Sequence, residues 1–372
     1  MLKMNTNDVK DWSNLCAQTM IKREPNLDTG KWRYEDGLML DGMYDVFRRT
    51  GNTKYFDYIS HNLDRFIGED GSIKGYNPEE EQLDHINNGK AILNAFEVTR
   101  KSKYKKAATM LFDQLKSQPR TENGVFWHKK IYPNQVWLDG VYMGDVFYAR
   151  YQKMFDIDDF MEDAAEQVIL AYQLTKDDNI GLCYHAFDGN KQMIWANKEN
   201  GHSPHFWTRS IGWFVMAMVD ILDYLPSSLP QRKQIISILQ EQLNLLRLYS
   251  DTKTKLWYQV TDEGDQPLNY LESSGTLMIL NAIAKSIRKG YLVKQEWAGF
   301  LTKSFQNALS HFISIDAQGY VNVHKIVYVS GLGGADNRDG SFEYYMSEPI
   351  VTNDHKGIGP FLMLANEMQD FN

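Results

Sequence analysis

The residues best suited to chemistry in this chain form one dense run of aromatic, basic and acidic side chains. The segment FWHKK at 126–130 is followed a few residues later by QVWLD at 135–139. Asp139 stands beside Trp137, where partial loss of water raises the pKa of a carboxyl group toward the range useful for giving and taking protons. The pattern predicts a general acid or base at Asp139, although an aspartate at the start of a helix also serves simply as a cap.

A second carboxylate occupies the equivalent place in the preceding part of the chain. Asp84 lies in LDHINNG, and Asp36 in YEDG is a third candidate with weaker neighbours. Two carboxylates that face one cavity perturb each other's pKa, and such a pair is typical of enzymes that cleave glycosidic bonds. Helix capping is again the competing interpretation. The sequence does not decide which of these carboxylates converge.

Basic and aromatic residues are expected around the same carboxylates. Arg209 lies between two tryptophans in FWTRSIGW, where a buried guanidinium is costly unless a carboxylate of the protein or of a substrate meets it. The histidines are candidates for catalysis and equally for structural hydrogen bonds. The predicted group comprises Tyr34, His128, Lys129, His185, Trp207, Arg209 and Trp213.

The sequence contains no motif for a bound cofactor or metal ion. GLGG at 331–334 lacks the following Lys-Ser/Thr and the βαβ context of a phosphate-binding loop. Cys16 and Cys183 fit no CxxC pattern, and no HxxxH spacing indicates a metal site. We therefore expect no cofactor, no metal ion and no disulfide.

Composition and charge narrow the possible classes of protein. The 372 residues carry a formal net charge of -8 and 13% aromatic residues, which disfavours nucleic-acid binding and supplies many rings for a cleft. The first residues, MLKMNTNDVKDW, contain no apolar core of a secretion signal, and no stretch approaches the roughly 18 apolar residues of a membrane span. We expect a cytoplasmic protein without membrane partners, as a monomer or a weak homo-oligomer.

Twelve helix-like stretches must position these residues. Six of them open with a polar or aromatic cluster and continue as a mostly apolar helix, and six amphipathic stretches alternate with them. In one amphipathic stretch Ile235, Leu239 and Leu243 recur at helical spacing. The apolar helices begin near Tyr34, Asp84, Leu138, Trp207, Leu271 and Asn353.

This alternation describes two concentric rings of helices. An inner helix needs burial on all sides, whereas an outer helix needs only one apolar face. The sequence therefore predicts an all-α protein, an (α/α)6 barrel or six-hairpin toroid, with 1–372 as a single catalytic domain. An open helical solenoid is the alternative, and six units without distinct polar end caps favour the closed ring.

Short aromatic segments with strand-like alternation lead back to the inner helices. They are GVFWHKK, GLCYHAFD, KLWYQV and GYVNVHK, and a turn signal precedes each of them. They place the polar starts of the inner helices at the same rim of the toroid. The candidate residues are therefore expected to lie together at one opening of the toroid.

With these residues in view, the chain resembles glycoside hydrolase family 105, the unsaturated rhamnogalacturonyl hydrolases, over nearly its full length. The resemblance implies an (α/α)6 barrel in which Asp139 of VWLDG is the general acid and base. It also implies that Tyr34, Asp84, His128, Lys129, His185, Trp207, Arg209 and Trp213 bind the substrate. The motifs that carry it are WRYEDG (32–37), LDHINNG (83–89), GVFWHKKIYPNQVWLDGVYMG (124–144), GLCYHAFD (181–188), WANKENGHSPHFWTRSIGWF (195–214), LWYQVTDEGD (256–265), LESSGT (271–276) and TNDHKGIG (352–359).

The resemblance further implies a reaction on the unsaturated uronic acid at the non-reducing end of rhamnogalacturonan oligosaccharides. Protonation of C4 of this enol ether gives an oxocarbenium ion, and water then adds at C5. The resulting hemiketal opens and releases the rest of the sugar. One aspartate can perform both proton transfers, and Arg209 or Lys129 is expected to hold the uronate carboxylate.

Three other functions fit the same residues. Unsaturated glucuronyl hydrolases of family 88 share this fold and chemistry but act on glycosaminoglycan fragments. A sugar 2-epimerase on the same toroid would use histidines such as His128 and His185. A carbohydrate-binding protein without catalysis would retain ligand binding alone. Activity on the two substrate classes and analysis of the products separate these possibilities.

Overall fold

The computed structural model describes residues 10–27, 30–336 and 338–371, and these are mostly helical. A 3₁₀ turn covers Pro78–Glu80, and a π-helical turn at Val141–Asp145 joins α7 to α8. The helices are α1 (Trp12–Arg23), α2 (Tyr34–Thr50), α3 (Thr53–Asp64), α4 (Leu83–Ile86), α5 (Gly89–Thr99), α6 (Ser102–Ser117), α7 (Leu138–Gly140), α8 (Val146–Met154), α9 (Met161–Thr175), α10 (Thr208–Ile221), α11 (Gln231–Tyr249), α12 (Ser273–Arg288), α13 (Lys294–Phe312), α14 (Phe342–Ser347) and α15 (His355–Gln369).

The long helices form two rings, which confirms the predicted (α/α)6 barrel. The inner ring runs through α2, α5, α8, α10, α12 and α15, and α15 closes it against α2. The outer helices α1, α3, α6, α9, α11 and α13 each pack on inner helices. Thirteen of the 14 residues of α10 are buried, whereas α11 buries a stripe that includes Ile235, Leu239 and Leu243. The inner and outer helices thus differ in burial as their sequences predict.

One backbone hydrogen bond recurs at the starts of four helices of the inner ring, namely α10, α12 and the short helices α4 and α7 that lead into α5 and α8. The first N–H groups of a helix have no acceptor within that helix. Here the N–H group of the first residue donates to a carbonyl group in the segment that leads to the next inner helix. Each of these units is thereby fixed to its successor at the rim. The donor and acceptor residues are Leu83 and His128 (3.1 Å), Leu138 and His185 (3.2 Å), Thr208 and Gln259 (3.1 Å), and Ser273 and Lys325 (3.0 Å).

The segments between the rings form less β-structure than their alternation predicts. The segments at 124–130 and 255–260 contain no strand and make only isolated bridges, such as Trp207 with Val260. Alternating burial requires only an extended backbone, which need not pair with another strand over several residues. Three two-stranded antiparallel sheets do form: β1 (Gln135–Trp137) with β2 (Ala186–Asp188), β3 (Ile313–Ile315) with β4 (Val321–Val323), and β5 (Ile326–Val327) with β6 (Ile350–Val351).

A charged cluster joins the starts of α2 and α15, where the inner ring closes. His355 Nδ1 lies 2.9 Å from Asp36 Oδ1, and His355 Nε2 lies 3.1 Å from Glu24 Oε2. Arg33 forms a further ion pair with Asp36 at 2.6 Å. Burial of the His355 ring opposes its charging, but the two carboxylates outweigh burial and raise its pKa to about 9. Asp36, the third candidate acid, is therefore a structural residue of this cluster.

Two further expectations from the sequence concern the cysteines and membranes. Cys16 and Cys183 are buried free thiols. Within the described ranges, no helix combines the length and the apolar character that crossing a membrane requires. The segment 1–9, on which the expectation about a secretion signal mainly rests, lies outside the described residues.

We expect His355→Gln to destabilise the protein at acidic and neutral pH and to have little effect in alkaline solution. Folding raises the pKa of His355 from 6.5 to about 9. The stabilisation from the charged ring is therefore complete below pH 6.5 and is lost as the pH rises through 9. Urea unfolding at about pH 6 should show a loss of roughly 3 kcal/mol, as for one partner of a buried ion pair.

The control is His311→Gln, which changes an exposed histidine on α13. It should leave the free energy of unfolding unchanged at every pH. An effect of His355→Gln that is equally large at pH 6 and at about pH 10 would contradict the assignment of a charged ring.

Candidate active site

One cavity at the rim of the toroid collects most of the predicted site residues. Its volume is about 280 Å³, close to the smallest pockets that take small ligands. Cavities of about 720 Å³ and 800 Å³ lie along α6 and at the opposite end of the barrel, and Asp139 lines neither of them. Seven of the predicted residues line the cavity at the rim: Tyr34, Asp84, His128, Lys129, Asp139, Trp207 and Arg209.

A short strand pair places Asp139 beside His185. Trp137 of β1 pairs with Ala186 of β2, and the N–H group of Leu138 donates to the carbonyl oxygen of His185. The chain turns into α7 at Leu138, so Asp139 lies in the first helical turn. His185 Nε2 is 3.6 Å from Asp139 Oδ2, and neither atom has a hydrogen-bond partner. The two atoms thus face each other just beyond hydrogen-bonding distance.

The carboxyl group of Asp139 is held close to the midpoint of its titration at neutral pH. Its side chain is 15% exposed. Burial raises its pKa to about 7; the positive charge of Arg209 opposes this shift, and the negative charge of Asp84 adds to it. A carboxyl group with this pKa can act as an acid in one step and as a base in the next.

Asp84 has the opposite electrostatic environment in the same cavity. Its Oδ2 atom lies 2.6 Å from Lys129 Nζ, and its Oδ1 atom lies 3.5 Å from His128 Nε2. Burial alone would raise the pKa of Asp84, but the positive charge of Lys129 holds it below its usual value. Burial lowers the pKa of His128 to about 4, so its ring is neutral. The two carboxyl groups are thus driven to different protonation states, as is typical of acid–base sites.

Stacked rings fix the side of the cavity next to Asp139. Trp137 lies between the rings of His128, at a centroid distance of 5.0 Å, and Tyr132, at 5.2 Å. Its indole N–H group donates to Gln135 Oε1. A Cβ atom at Gly140 would lie 3.0 Å from His128 Nδ1, so the glycine of VWLDG leaves room for this ring. Both faces of Trp137 are covered in this stack, and Tyr132 at its end offers rigid aromatic surface to a ligand.

Arg209 presents a positive charge that no protein carboxylate neutralises. The residue is 2% exposed, and its guanidinium group donates to the carbonyl oxygen of Val327 and to Ser274 Oγ. It also lies 4.7 Å above the ring of Trp207. Within the described part of the chain, no carboxylate oxygen lies within 4 Å of this group. The alternative that Arg209 pairs with a protein carboxylate is therefore wrong, and the charge is available to an anionic ligand.

Two predicted substrate-binding residues do not line the cavity. Trp213 is fully buried and packs between Tyr34, at 6.3 Å, and Tyr142, at 4.8 Å. Lys90 Nζ lies 3.3 Å from the centroid of Tyr142 on the far side, so these four side chains form a column along the barrel axis. Trp213 therefore presents no surface to the cavity. His185 is also fully buried, and its ring faces Asp139, so substrate binding by these two residues stays a prediction.

The sequence does not predict several of the residues that line the cavity. Tyr328 and Arg338 belong to the stretch between β5 and α14, which carries neither periodicity nor a motif. Lys356 lies in the first turn of α15 and contacts Asp354 at 2.9 Å and Glu35 at 3.5 Å. Its place in the sixth inner helix is equivalent to that of Asp84 and Asp139 in theirs, and that equivalence could have identified it.

The arrangement can bind an anionic sugar and transfer one proton to and from it. The necessary groups are a carboxyl group near its titration midpoint, an unneutralised guanidinium group and flat aromatic surfaces. Among the residues that the structure describes, no group of three or more His, Cys, Asp or Glu side chains is arranged to hold a metal ion.

Comparison with known proteins places the chain among the glycoside hydrolases. A model of Glycosyl Hydrolase Family 88 matches residues 12–372. The fold is similar to the solved structure of a glycoside hydrolase from family 105 of C. acetobutylicum, with a TM-score of 0.94, 45% identity, and coverage of 96% of this chain and 99% of that chain.

Two further relatives cover smaller parts of the chain. Protein Atu3128 of Agrobacterium fabrum is 35% identical over 233 residues, which are 60% of this chain and 97% of the relative. The unsaturated rhamnogalacturonyl hydrolase YesR of Bacillus subtilis is 27% identical over 278 residues, which are 72% of this chain and 74% of the relative.

We expect Asp139 to titrate near pH 7 in the wild-type protein and at lower pH in Asp84→Asn. The substitution removes a negative charge that favours the protonated carboxyl group, and it releases Lys129 from its ion pair. The titration is followed by the ¹³C shifts of labelled aspartate carboxyl groups, with Asp139→Asn identifying the signal. Asp57→Asn, on the exposed face of α3, is the control for charge alone. An unchanged midpoint in Asp84→Asn would show that the two carboxyl groups do not interact.

Proposed function

This chain belongs to the unsaturated uronyl hydrolases of glycoside hydrolase families 88 and 105, and we propose that its substrates are rhamnogalacturonan oligosaccharides ending in 4,5-unsaturated galacturonic acid. The observation that carries this proposal is the pairing, within one cavity, of the Asp139 carboxyl group with the unneutralised guanidinium group of Arg209. One group supplies the proton, and the other recognises the acid function of the sugar.

Arg209 is the residue best placed to hold the uronate carboxylate. A guanidinium group can bind both oxygens of a carboxylate with two parallel hydrogen bonds. Its contacts with Val327 and Ser274 fix the plane of the group before the substrate arrives. Lys129, the other candidate for this role, is engaged with Asp84 at 2.6 Å and neutralises that carboxylate instead.

Asp139 performs both proton transfers in the proposed reaction. As an acid it donates its proton to C4 of the enol ether, and the electron pair of the C4=C5 bond forms the new C–H bond. The positive charge is shared by C5 and the ring oxygen. As a carboxylate, Asp139 then removes a proton from the water that adds at C5. A pKa of about 7 suits both steps near neutral pH.

Asp84 is not a second acid or nucleophile in this scheme. A displacement mechanism requires two carboxyl groups, one of which must be free to attack the sugar or to activate water. Lys129 and His128 occupy the two oxygens of Asp84. One proton-carrying carboxyl group supports addition of water to a double bond rather than displacement at the anomeric carbon.

A second cleft beside the cavity gives room for the sugar next to the unsaturated residue. This cleft of about 410 Å³ shares Tyr34, Glu35 and Asp84 with the cavity. Its two acidic side chains have cationic partners, Lys129 for Asp84 and Lys356 for Glu35, so neither carboxylate is a free negative charge. The choice of rhamnogalacturonan oligosaccharides is supported by the 27% identity to the unsaturated rhamnogalacturonyl hydrolase YesR.

We expect Asp139→Asn to reduce turnover of an unsaturated rhamnogalacturonan disaccharide by about 10²–10⁴-fold. The amide preserves the shape of the side chain but has no proton to exchange in this way. Turnover is measured by the loss of ultraviolet absorbance of the conjugated double bond, and binding by calorimetry. Asp178→Asn, in an exposed turn, controls for the loss of a charge. Near-normal turnover by Asp139→Asn would contradict the assigned role.

A panel of three disaccharides tests the substrate class. We expect cleavage of the unsaturated rhamnogalacturonan disaccharide, no cleavage of its saturated counterpart, and weaker activity on an unsaturated sulfated glycosaminoglycan disaccharide. The saturated sugar has no electron-rich C4 that can accept a proton. The value of kcat/KM for each compound is determined from product release by chromatography.

Two results of this panel would argue against the proposal. Comparable cleavage of the saturated compound would favour a mechanism with two carboxyl groups. A higher kcat/KM for the sulfated compound would reassign the substrate to glycosaminoglycan fragments.

A further inference from the structure

Two buried side chains lie in line behind Asp139, outside the wall of the cavity. Tyr345 of α14 is fully buried, and its hydroxyl oxygen lies 2.9 Å from His185 Nδ1. On the other side of the imidazole ring, His185 Nε2 faces Asp139 Oδ2 at 3.6 Å. Neither Tyr345 nor His185 lines the cavity. Both can therefore act on the reaction through Asp139 without lining the cavity that holds the substrate.

The hydrogen bond to Tyr345 decides which nitrogen of His185 carries the hydrogen. Burial lowers the pKa of His185 well below its usual value, so the ring is neutral and has one N–H group. In the described part of the chain, His185 Nδ1 is the hydrogen-bond partner of the Tyr345 hydroxyl. A buried hydroxyl hydrogen without an acceptor is costly. The hydroxyl group therefore donates to Nδ1, and the ring hydrogen of His185 is on Nε2.

The opposite tautomer leaves two groups unsatisfied. If Nδ1–H donated to the oxygen of Tyr345, the hydroxyl hydrogen of Tyr345 would have no acceptor. The lone pair of Nε2 would then face the negative charge of Asp139 after its proton has gone to the substrate. Trp207, at a centroid distance of 4.5 Å, and Trp137, at 5.2 Å, hold the ring in place.

We propose that Tyr345 and His185 are positioning residues that keep the transferable proton of Asp139 on Oδ1, the oxygen on the cavity side. Oδ2 is shielded from solvent, while the side chain as a whole keeps 15% exposure toward the cavity. An N–H group at His185 Nε2 faces Oδ2 from 3.6 Å, and its positive hydrogen disfavours a proton on that oxygen both in the acid and when the carboxylate is reprotonated. The inference rests on the proposed function for the role of Asp139.

The tautomer determines whether the acid can reach the substrate. With the hydrogen on Nδ1, the lone pair of Nε2 would attract the proton of Asp139 to Oδ2, and that proton would point away from the sugar. In Ser-His-Asp hydrolases, a histidine held in the wrong tautomer costs about 10⁴-fold in turnover. His185 has an indirect role here, so the expected cost is smaller.

The test is Tyr345→Phe, with Tyr104→Phe as the matched control. Tyr104 is also fully buried, and its hydroxyl group donates to Asp64 on the outer ring. We expect Tyr345→Phe to lower kcat on the unsaturated disaccharide by about tenfold or more, as for removal of a group that orients a reacting residue. The KM should stay within about twofold, because Tyr345 does not line the cavity. Tyr104→Phe should change neither constant.

A second measurement reads the tautomer directly and needs no substrate. The ¹⁵N shifts of labelled histidine rings distinguish Nε2–H from Nδ1–H, and His185→Gln identifies the signal of His185. We expect Nε2–H in the wild-type protein and a mixture of tautomers in Tyr345→Phe. A wild-type His185 that carries its hydrogen on Nδ1 overturns the proposal, and so does a Tyr345→Phe variant with unchanged tautomer and unchanged kcat.

The variant His185→Gln separates this role from a merely structural one. The side-chain amide of glutamine can offer an N–H group to Asp139 from nearly the position of Nε2, whereas leucine cannot. We expect His185→Gln to retain more of the wild-type kcat than His185→Leu, and equal losses in two folded variants would overturn the proposal. If the substrate assignment alone is wrong, the wild-type protein is inactive on the unsaturated disaccharide while its ¹⁵N spectrum still shows Nε2–H.

Discussion

The N–H group at the first position of a helix must find an acceptor outside that helix, and this toroid meets the requirement in the same way four times. The acceptor is always the segment that enters the next inner helix. Each bond therefore satisfies a helix end and joins two neighbouring units. Residues at the rim lie in short irregular segments, and these bonds tie their backbone to the neighbouring helix starts. A site that uses loop residues can be rigid for this reason.

Two of these bonds place a histidine ring beside an aspartate, but the pKa values of the two aspartates shift in opposite directions. At Leu83 and at Leu138 the acceptor is the carbonyl group of a histidine, and the ring of that histidine faces the aspartate that follows the leucine. Asp84 has Lys129 as an additional neighbour and has a pKa below its usual value. Asp139 has no such ion pair, and burial therefore dominates its titration. One added lysine thus separates a carboxyl group whose pKa lies below its usual value from one whose pKa is raised to about 7.

The sequence predicts the rings and most of the site, because helical periodicity reports burial and the polar helix starts mark the rim. It fails where packing decides the direction of a side chain. Trp213 and His185 lie next to residues of the cavity wall but point into the core, and no periodic pattern separates the two directions. Arg338 lies in a stretch whose course depends on contacts with other units, such as the bond from Gln259 Nε2 to Ser330 Oγ. Tyr345, in the same stretch, acquires its proposed role only through a contact 160 residues away in the chain.

A column of four side chains closes the central space of the toroid between its two ends. These side chains are Tyr34, Trp213, Tyr142 and Lys90. Tyr34 belongs to the upper cavity and Lys90 to the chamber at the opposite end, so the axis of the ring is blocked between them. A polysaccharide chain cannot thread through such a ring. Any ligand of the upper cavity therefore enters and leaves through one opening of the toroid.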